Sequence, residues 1–136
     1  MALSGSFSGS IRSGNYKLRV DWSATQSVSG NTSKITATMY LVQASSWSLN
    51  IASRSDNKTT INGTGYTWTS PAISNSGGKT TKLATVTSGN IAHNADGTKS
   101  VTITAVFEIG ATISGTRYDT ITATATITLD TIPRAT

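Results

Sequence analysis

Apolar and polar residues alternate along most of the chain, and a helical repeat of apolar positions is nearly absent. In residues 121–129 the odd positions are Ile, Ala, Ala, Ile and Leu, whereas every even position is threonine. Residues 101–109 carry Val, Ile, Ala, Phe and Ile at their odd positions. Because consecutive side chains of a β-strand point to opposite faces, both segments predict strands with one buried face and one solvent face.

The same period predicts shorter strands elsewhere, near residues 16–22, 35–41, 47–51, 60–61, 66–68 and 83–86, with an edge strand at residues 7–11. Turn-forming Ser, Asn, Asp and Gly residues separate these segments at fairly even intervals. About seven to nine short strands with such turns predict an all-β fold. We expect an antiparallel β-sandwich of the immunoglobulin/fibronectin-like or carbohydrate-binding-module-like kind, with a closed barrel as the alternative.

The length of 136 residues is typical of a single domain. We therefore expect one β-sandwich domain over residues 1–130. Residues 131–136 follow the last predicted strand and include Pro133, and we expect them to begin a linker to further domains. Residues 1–20 lack the charged and apolar stretches of a signal peptide, which predicts synthesis in the cytoplasm.

Charge and cysteine content argue against several classes of partner. The chain has no cysteine, so disulfides and thiolate metal sites are not expected. Its 11 Lys and Arg residues exceed its 6 Asp and Glu residues, but they are spread about one per predicted segment, whereas nucleic-acid binders collect them on one face. No apolar run approaches the ~20 residues that cross a bilayer. We expect no nucleic acid, no membrane, no metal and no cofactor.

Catalytic chemistry has few candidates in this sequence. The single histidine, His93, lies just before the predicted strand at 101–109. We interpret His93, Asp96 and Gly97 as a structural turn, in which the imidazole hydrogen-bonds the backbone and Asp96-Gly97 makes the tight bend. No Gly-x-Ser-x-Gly segment is present, and the carboxylates lie mostly at turns and strand ends. We predict that the chain is not an enzyme and assign no catalytic residue.

Aromatic rings on a hydroxyl-rich surface are the remaining candidates for ligand binding, because such rings stack on the C–H faces of sugars. Trp22 and Trp47 alternate in phase with aliphatic neighbours, which places both in the core. Tyr40 lies out of phase with its aliphatic neighbours and is expected to be exposed or half exposed. Tyr66 and Trp68 share one face, which forms either a two-ring platform or the end of the core. The candidate carbohydrate-binding residues are Tyr40, Tyr66, Trp68, Arg117 and Tyr118.

Two segments resemble a known family. Residues 93–103, His-Asn-Ala-Asp-Gly-Thr-Lys-Ser-Val-Thr-Ile, and residues 129–135, Leu-Asp-Thr-Ile-Pro-Arg-Ala, resemble minor structural tail proteins of siphophages that infect streptococci and related Gram-positive bacteria. Residues 7–10 and 31–33 are similar too. The resemblance implies an N-terminal module at the tail tip or baseplate of a virion, made in the cytoplasm of the bacterial host. It implies other phage tail proteins and host cell-wall polysaccharide as partners, and it brings no catalytic residues.

These observations lead to two hypotheses about function. The first is a module that helps a phage tail adhere to the host surface by binding cell-wall carbohydrate. The second is a non-binding structural spacer or docking domain of the tail.

The threonine-rich strand at 120–128 would be prone to aggregate as a bare sheet edge. We therefore expect it to be central in a sheet or paired with a second copy in a homo-oligomer.

Overall fold

Thirteen β-strands and one turn of 3-10 helix (Arg12–Gly14) form the computed structural model, which describes residues 2–134. The strands are β1 (Ser4–Ile11), β2 (Tyr16–Ser27), β3 (Thr32–Gln43), β4 (Leu49–Ile51), β5 (Arg54–Ile61), β6 (Thr64–Ser70), β7 (Ile73–Asn75), β8 (Thr80–Thr87), β9 (Ile91–Ala92), β10 (Ser100–Phe107), β11 (Ala111–Ile113), β12 (Thr116–Tyr118) and β13 (Ile121–Thr128). No helix in this part of the chain is long and apolar enough to cross a membrane.

The eight longest strands form two antiparallel sheets, which confirms the predicted β-sandwich. The first sheet has the order β1-β2-β3-β8, with β9 added beside β3, and the second has the order β13-β10-β5-β6. Two short ladders, β4–β7 and β11–β12, complete the structure. The predicted count of seven to nine strands is too low, because five strands of only two or three residues add to the eight long ones.

The core lies between the inward faces of the two sheets, and it follows the alternation in the sequence. Leu18, Ile35 and Leu41 of the first sheet are completely buried, and so are Ile103 and Phe107 of the second. Trp22 is 6% exposed, which confirms its predicted place in the core. Burying side chains of this size contributes about 1.5–3 kcal/mol each, so the inward residues are the main stabilising element of the fold.

Hydroxyl groups cover the outer face of the second sheet. Strands β10 and β13 pair Ser100 with Thr128, Thr102 with Thr126, and Thr104 with Thr124. The hydroxyl oxygens of the last two pairs lie 2.9 and 2.8 Å apart, within hydrogen-bond distance. Cross-strand Thr–Thr pairs each contribute roughly 0.2–1 kcal/mol, so this ladder stabilises the sheet and leaves the outer surface of β10 and β13 uncharged.

Strand β13 is an outer strand of its sheet, so the first of the two arrangements expected for residues 120–128, a central position in a sheet, is wrong. The reason is that β1 of the other sheet lies against its free side. The Ala2 N–H donates to the Thr128 carbonyl (3.0 Å), and the Asp130 N–H donates to the Ala2 carbonyl (3.1 Å). Gly9 lies directly against the Thr122 carbonyl. The edge is therefore covered within one chain.

The segment after β13 is packed on the sandwich as far as the structure describes it. Ile132 is fully buried, and its N–H donates to the Gly97 carbonyl (3.0 Å). Arg134 Nη1 donates to the Val28 carbonyl (2.8 Å). Residues 131–134 of the expected linker are thus held by the sandwich, whereas residues 135 and 136 lie outside the described residues.

Candidate ligand-binding groove

Trp68 belongs to the core, so it is not a sugar-binding platform. Its side chain is 7% exposed and stacks on Phe107, with ring centroids 6.1 Å apart and planes inclined by 15°. The indole N–H donates to the buried hydroxyl of Thr59 (3.0 Å). A buried indole needs such a partner, because an unpaired N–H would cost about 1–3 kcal/mol.

The other aromatic candidates lie apart from one another. Tyr40 is half buried on the outer face of the first sheet, where the Arg19 guanidinium lies 4.5 Å from its ring centroid. Tyr66 is half buried on β6 and accepts a hydrogen bond from the Gly89 N–H (3.3 Å). Tyr118 is half buried on β12 and packs against the core. The structure does not gather the predicted set into one platform: Tyr66 and Trp68 lie on β6, Arg117 and Tyr118 on β12, and Tyr40 on β3.

The loop that contains His93 is held by side-chain hydrogen bonds. His93 Nδ1 lies 2.7 Å from the Gly97 carbonyl, and Nε2 lies 2.6 Å from Ser33 Oγ. Because a carbonyl can only accept, Nδ1 is the donor in the first of these two bonds. Ser33 is 1% exposed, so no substrate reaches its oxygen. The pair ties β3 to the loop after β9.

Asp96 shapes the bend of the same loop. Its Oδ1 accepts hydrogen bonds from the Thr98 hydroxyl (2.6 Å) and the Thr98 N–H (3.1 Å). These two bonds favour the charged carboxylate and lower the pKa of Asp96 below its usual value of 3.8. The contribution to stability is present at neutral pH and is lost as pH falls through this lowered pKa.

An open groove of about 560 Å³ lies between β4 and the β11–β12 hairpin. Apolar side chains of Leu49, Ile51 and Ile113 lie along it together with polar ones. The polar lining residues are Tyr16, Ser48, Asn50, Arg54, Thr112 and Ser114. None of the described lining residues is an aspartate or a glutamate. The groove therefore presents hydroxyl, amide and guanidinium groups without a carboxylate.

Two guanidinium groups meet at one side of this groove. A methyl group added at Gly110 would lie 3.5 Å from Nη2 of both Arg54 and Arg117. Arg54 donates to the carbonyls of Glu108, Ile109 and Gly110 at 3.2–3.3 Å. Arg117 is more exposed and pairs with Asp119 at 3.1 Å. Arg54 thus fixes the floor of the groove, while Arg117 lies at its side and is paired with Asp119.

Trp47 is half buried and packs against the core from outside, so its predicted place inside the core is wrong. It is half buried and packs edge-to-face on Tyr16, with centroids 6.0 Å apart and planes inclined by 85°. The Arg12 guanidinium lies 5.8 Å from its ring centroid. The Tyr16 hydroxyl donates to the Ser48 carbonyl, and burial raises the pKa of this phenol. Because Tyr16 lines the groove, the half-buried indole that packs on its ring lies next to a lining residue.

The groove and its surroundings can hold a neutral, hydroxylated ligand. Side-chain hydroxyls and the Asn50 amide both donate and accept hydrogen bonds, whereas Arg117 only donates. Sequence reasoning did not single out Asn50, Arg54 or Thr112, and it placed Trp47 in the core. Comparison of the chain with protein-family models, with curated proteins and with solved structures finds no match, so the assignment of this groove rests on its own geometry.

Proposed function

We propose that this chain is a carbohydrate-binding β-sandwich module that helps a phage tail adhere to the cell wall of its host. The observation that carries the proposal is the open, carboxylate-free groove between β4 and the β11–β12 hairpin. Its volume lies within the 300–1,000 Å³ of ordinary ligand sites. A glycan chain can lie along such an open groove without its ends having to enter a closed cavity.

The chemistry of the lining suits sugar hydroxyls. Ser48, Asn50, Thr112 and Ser114 are all exposed, so their polar groups reach solvent. Each can exchange hydrogen bonds with water for hydrogen bonds with a sugar at little cost, and a net gain of about 0.5–1.5 kcal/mol per bond is typical. The half-exposed ring of Trp47 adds an apolar surface at the same end of the molecule.

The virion location is proposed from the resemblance of residues 93–103 and 129–135 to siphophage tail proteins. These two segments are in contact in the structure. The Ile132 N–H donates to the Gly97 carbonyl, and the Leu129 N–H donates to the Lys99 carbonyl, both at 3.0 Å. They form one structural unit, as two motifs of a single module would.

A binding assay on purified host cell walls tests the groove. We expect the double variant Asn50→Ala/Thr112→Ala to bind about tenfold more weakly than the wild type, because it removes two side chains that each contribute about 0.5–1.5 kcal/mol. Asn90→Ala/Thr69→Ala is the matched control, since both residues are exposed outside the groove. Equal weakening by both double variants would contradict the assignment of the groove.

The second candidate is a structural spacer or docking domain of the tail. It is favoured by the uncharged threonine ladder of β10 and β13, which offers a flat surface without a pocket. This alternative is supported if the wild-type protein assembles with other tail proteins but does not bind cell walls at any concentration. The same result would exclude the carbohydrate-binding function.

A further inference from the structure

The outer edge of β6 differs from the other three long edges of the two sheets. Strands β1 and β13 cover each other. The edge of β8 is interrupted by a shift in its pairing at Leu83 and carries Lys82, and both features hinder the addition of a further strand. Strand β6 contains neither a charged residue nor a proline, and it pairs regularly with β5 from Thr64 to Trp68. Its edge therefore lacks the usual protection against pairing.

The turn before β6 decides which of its backbone groups face this edge. Asn62 and Gly63 have φ of +52° and +83° and form a two-residue hairpin turn between β5 and β6. The two residues that flank such a turn are hydrogen-bonded to each other, and bonded pairs then alternate with non-bonded pairs along the ladder. Gly65, Thr67 and Thr69 occupy the non-bonded positions, so their N–H and C=O groups point away from β5.

The hydrogen bonds of β6 agree with this alternation. The carbonyl of Trp68, which is at a bonded position, lies toward β5 and also accepts from Asn57 Nδ2 (3.1 Å). Among the described residues, no backbone hydrogen bond outside the strand ladders involves Gly65, Thr67 or Thr69, and all three are exposed. Three N–H and three C=O groups in a row are thus available to a strand that adds to the sheet.

We propose that a second copy of this chain occupies the edge, with the two β6 strands antiparallel about a twofold axis at Thr67. Thr67 then pairs with Thr67 of the second copy, and Gly65 pairs with Thr69 of the second copy. Each outward N–H and C=O finds a partner, and two four-stranded sheets become one continuous sheet. The proposal does not depend on the groove beside β4.

The side chains of β6 favour its own copy over a strand of unrelated sequence. On the outer face, the pair at the axis is Thr67 with Thr67 of the second copy, and cross-strand threonine pairs stabilise a sheet. On the inner face, the half-buried Tyr66 comes to lie opposite Trp68 of the second copy, which is an aromatic pair. The strand is thus complementary to itself on both faces.

The charges beside the axis do not oppose this pairing. The Lys58 side chain lies over Gly65, where an added Cβ atom would be 2.2 Å from its Cε. In the dimer Gly65 and Gly65 of the second copy are four residues apart along the strands, about 13 Å. This separation exceeds the Debye length of about 8 Å at physiological salt, so the two ammonium groups repel each other only weakly.

Sedimentation equilibrium tests the self-association. We expect a reversible dimer of the wild type whose fraction rises with concentration. Thr67→Pro should be monomeric over the same range, because proline removes the N–H at the axis. The N–H of Thr67 does not bond β5, and proline is tolerated in edge strands at such positions, so the variant should keep the circular-dichroism spectrum of the folded chain.

A second variant keeps the test decisive if Thr67→Pro does not fold. Thr69→Lys places an ammonium group beside Lys58 of the second copy, twice in the symmetric dimer. We expect dimerisation to weaken about tenfold in low salt and to recover as salt is raised. Thr102→Lys is the matched control, because Thr102 is exposed on the outer face of the same sheet but belongs to the central strand β10. It should dimerise as the wild type does.

Single cysteines locate the axis, since the chain has no cysteine of its own. Thr67→Cys should form a disulfide-linked dimer on mild oxidation, because the Cα atoms of a bonded antiparallel pair lie about 5.5 Å apart, within the range of disulfides. Thr102→Cys gives the rate of random collisions. A wild type that is monomeric at every concentration, a dimer that persists in folded Thr67→Pro, equal weakening by Thr69→Lys and Thr102→Lys, or equal cross-linking of the two cysteine variants would overturn the proposal.

Discussion

Replacing Gly97 by alanine is expected to lower the free energy of unfolding by about 2–5 kcal/mol, one of the largest effects of any single substitution in this chain. Gly97 has φ of +88°, a conformation that costs an L-residue about 1–2 kcal/mol. A Cβ atom there would also lie 2.0 Å from the Ile132 carbonyl oxygen, and forcing extra atoms into a packed region costs about 1–3 kcal/mol. Urea unfolding followed by tryptophan fluorescence measures the change.

Gly115 provides the matched control for this substitution. It has nearly the same backbone conformation, with φ of +82°, but no atom lies within 4 Å of its added Cβ. Gly115→Ala should therefore show only the backbone cost of about 1–2 kcal/mol. An equal loss in the two variants would mean that the segment containing Ile132 does not pack on the loop as the structure describes.

Gly9→Ala is expected to open the contact between the two sheets at β1 and β13. Its Cβ would lie 1.8 Å from the Thr122 carbonyl oxygen, a backbone atom that cannot move alone. We expect a loss of about 1–3 kcal/mol or more, because β1 must shift away from β13. The same shift frees the backbone edge of β13, so light scattering should show self-association that increases with concentration.

Gly89→Ala is the control for Gly9→Ala, since no atom lies within 4 Å of its added Cβ and its φ is not positive. It should change the free energy of unfolding by less than about 0.5 kcal/mol and should remain monomeric if the wild type does. Wild-type stability and unchanged light scattering in Gly9→Ala would contradict the edge covering of β13 by β1.

The strands could be predicted from the sequence because their alternation is nearly unbroken. The odd positions from Val101 to Phe107 are at most 1% exposed, as the pattern predicts. Trp47 departs from its predicted burial because it lies outside a strand: β4 begins only at Leu49, and Ser46, just before Trp47, has φ of +67°. This turn ends the alternation, so the phase of Leu49 and Ile51 does not extend back to the indole.

The groove beside β4 could not be predicted in this way. The alternation of apolar and polar residues indicates which side of a strand faces inward, but it does not indicate which strands are neighbours. The groove beside β4 needs Asn50 and Thr112, 62 positions apart in the chain, to lie together. Likewise, Lys82 lies next to Tyr40 only because β8 pairs with β3. In the sequence Arg19, Lys34 and Lys82 are far apart, so their positions alone do not predict a common face.

The most direct test of the proposed function is a nitrogen-15 NMR titration of the chain with soluble neutral fragments of host cell-wall glycan. If the groove beside β4 binds carbohydrate, saturable shifts should concentrate on the amides of Asn50, Thr112 and Ser114 and on the Trp47 indole. Saturable shifts confined to the threonine ladder of β10 and β13, or no shifts at millimolar glycan, would contradict it.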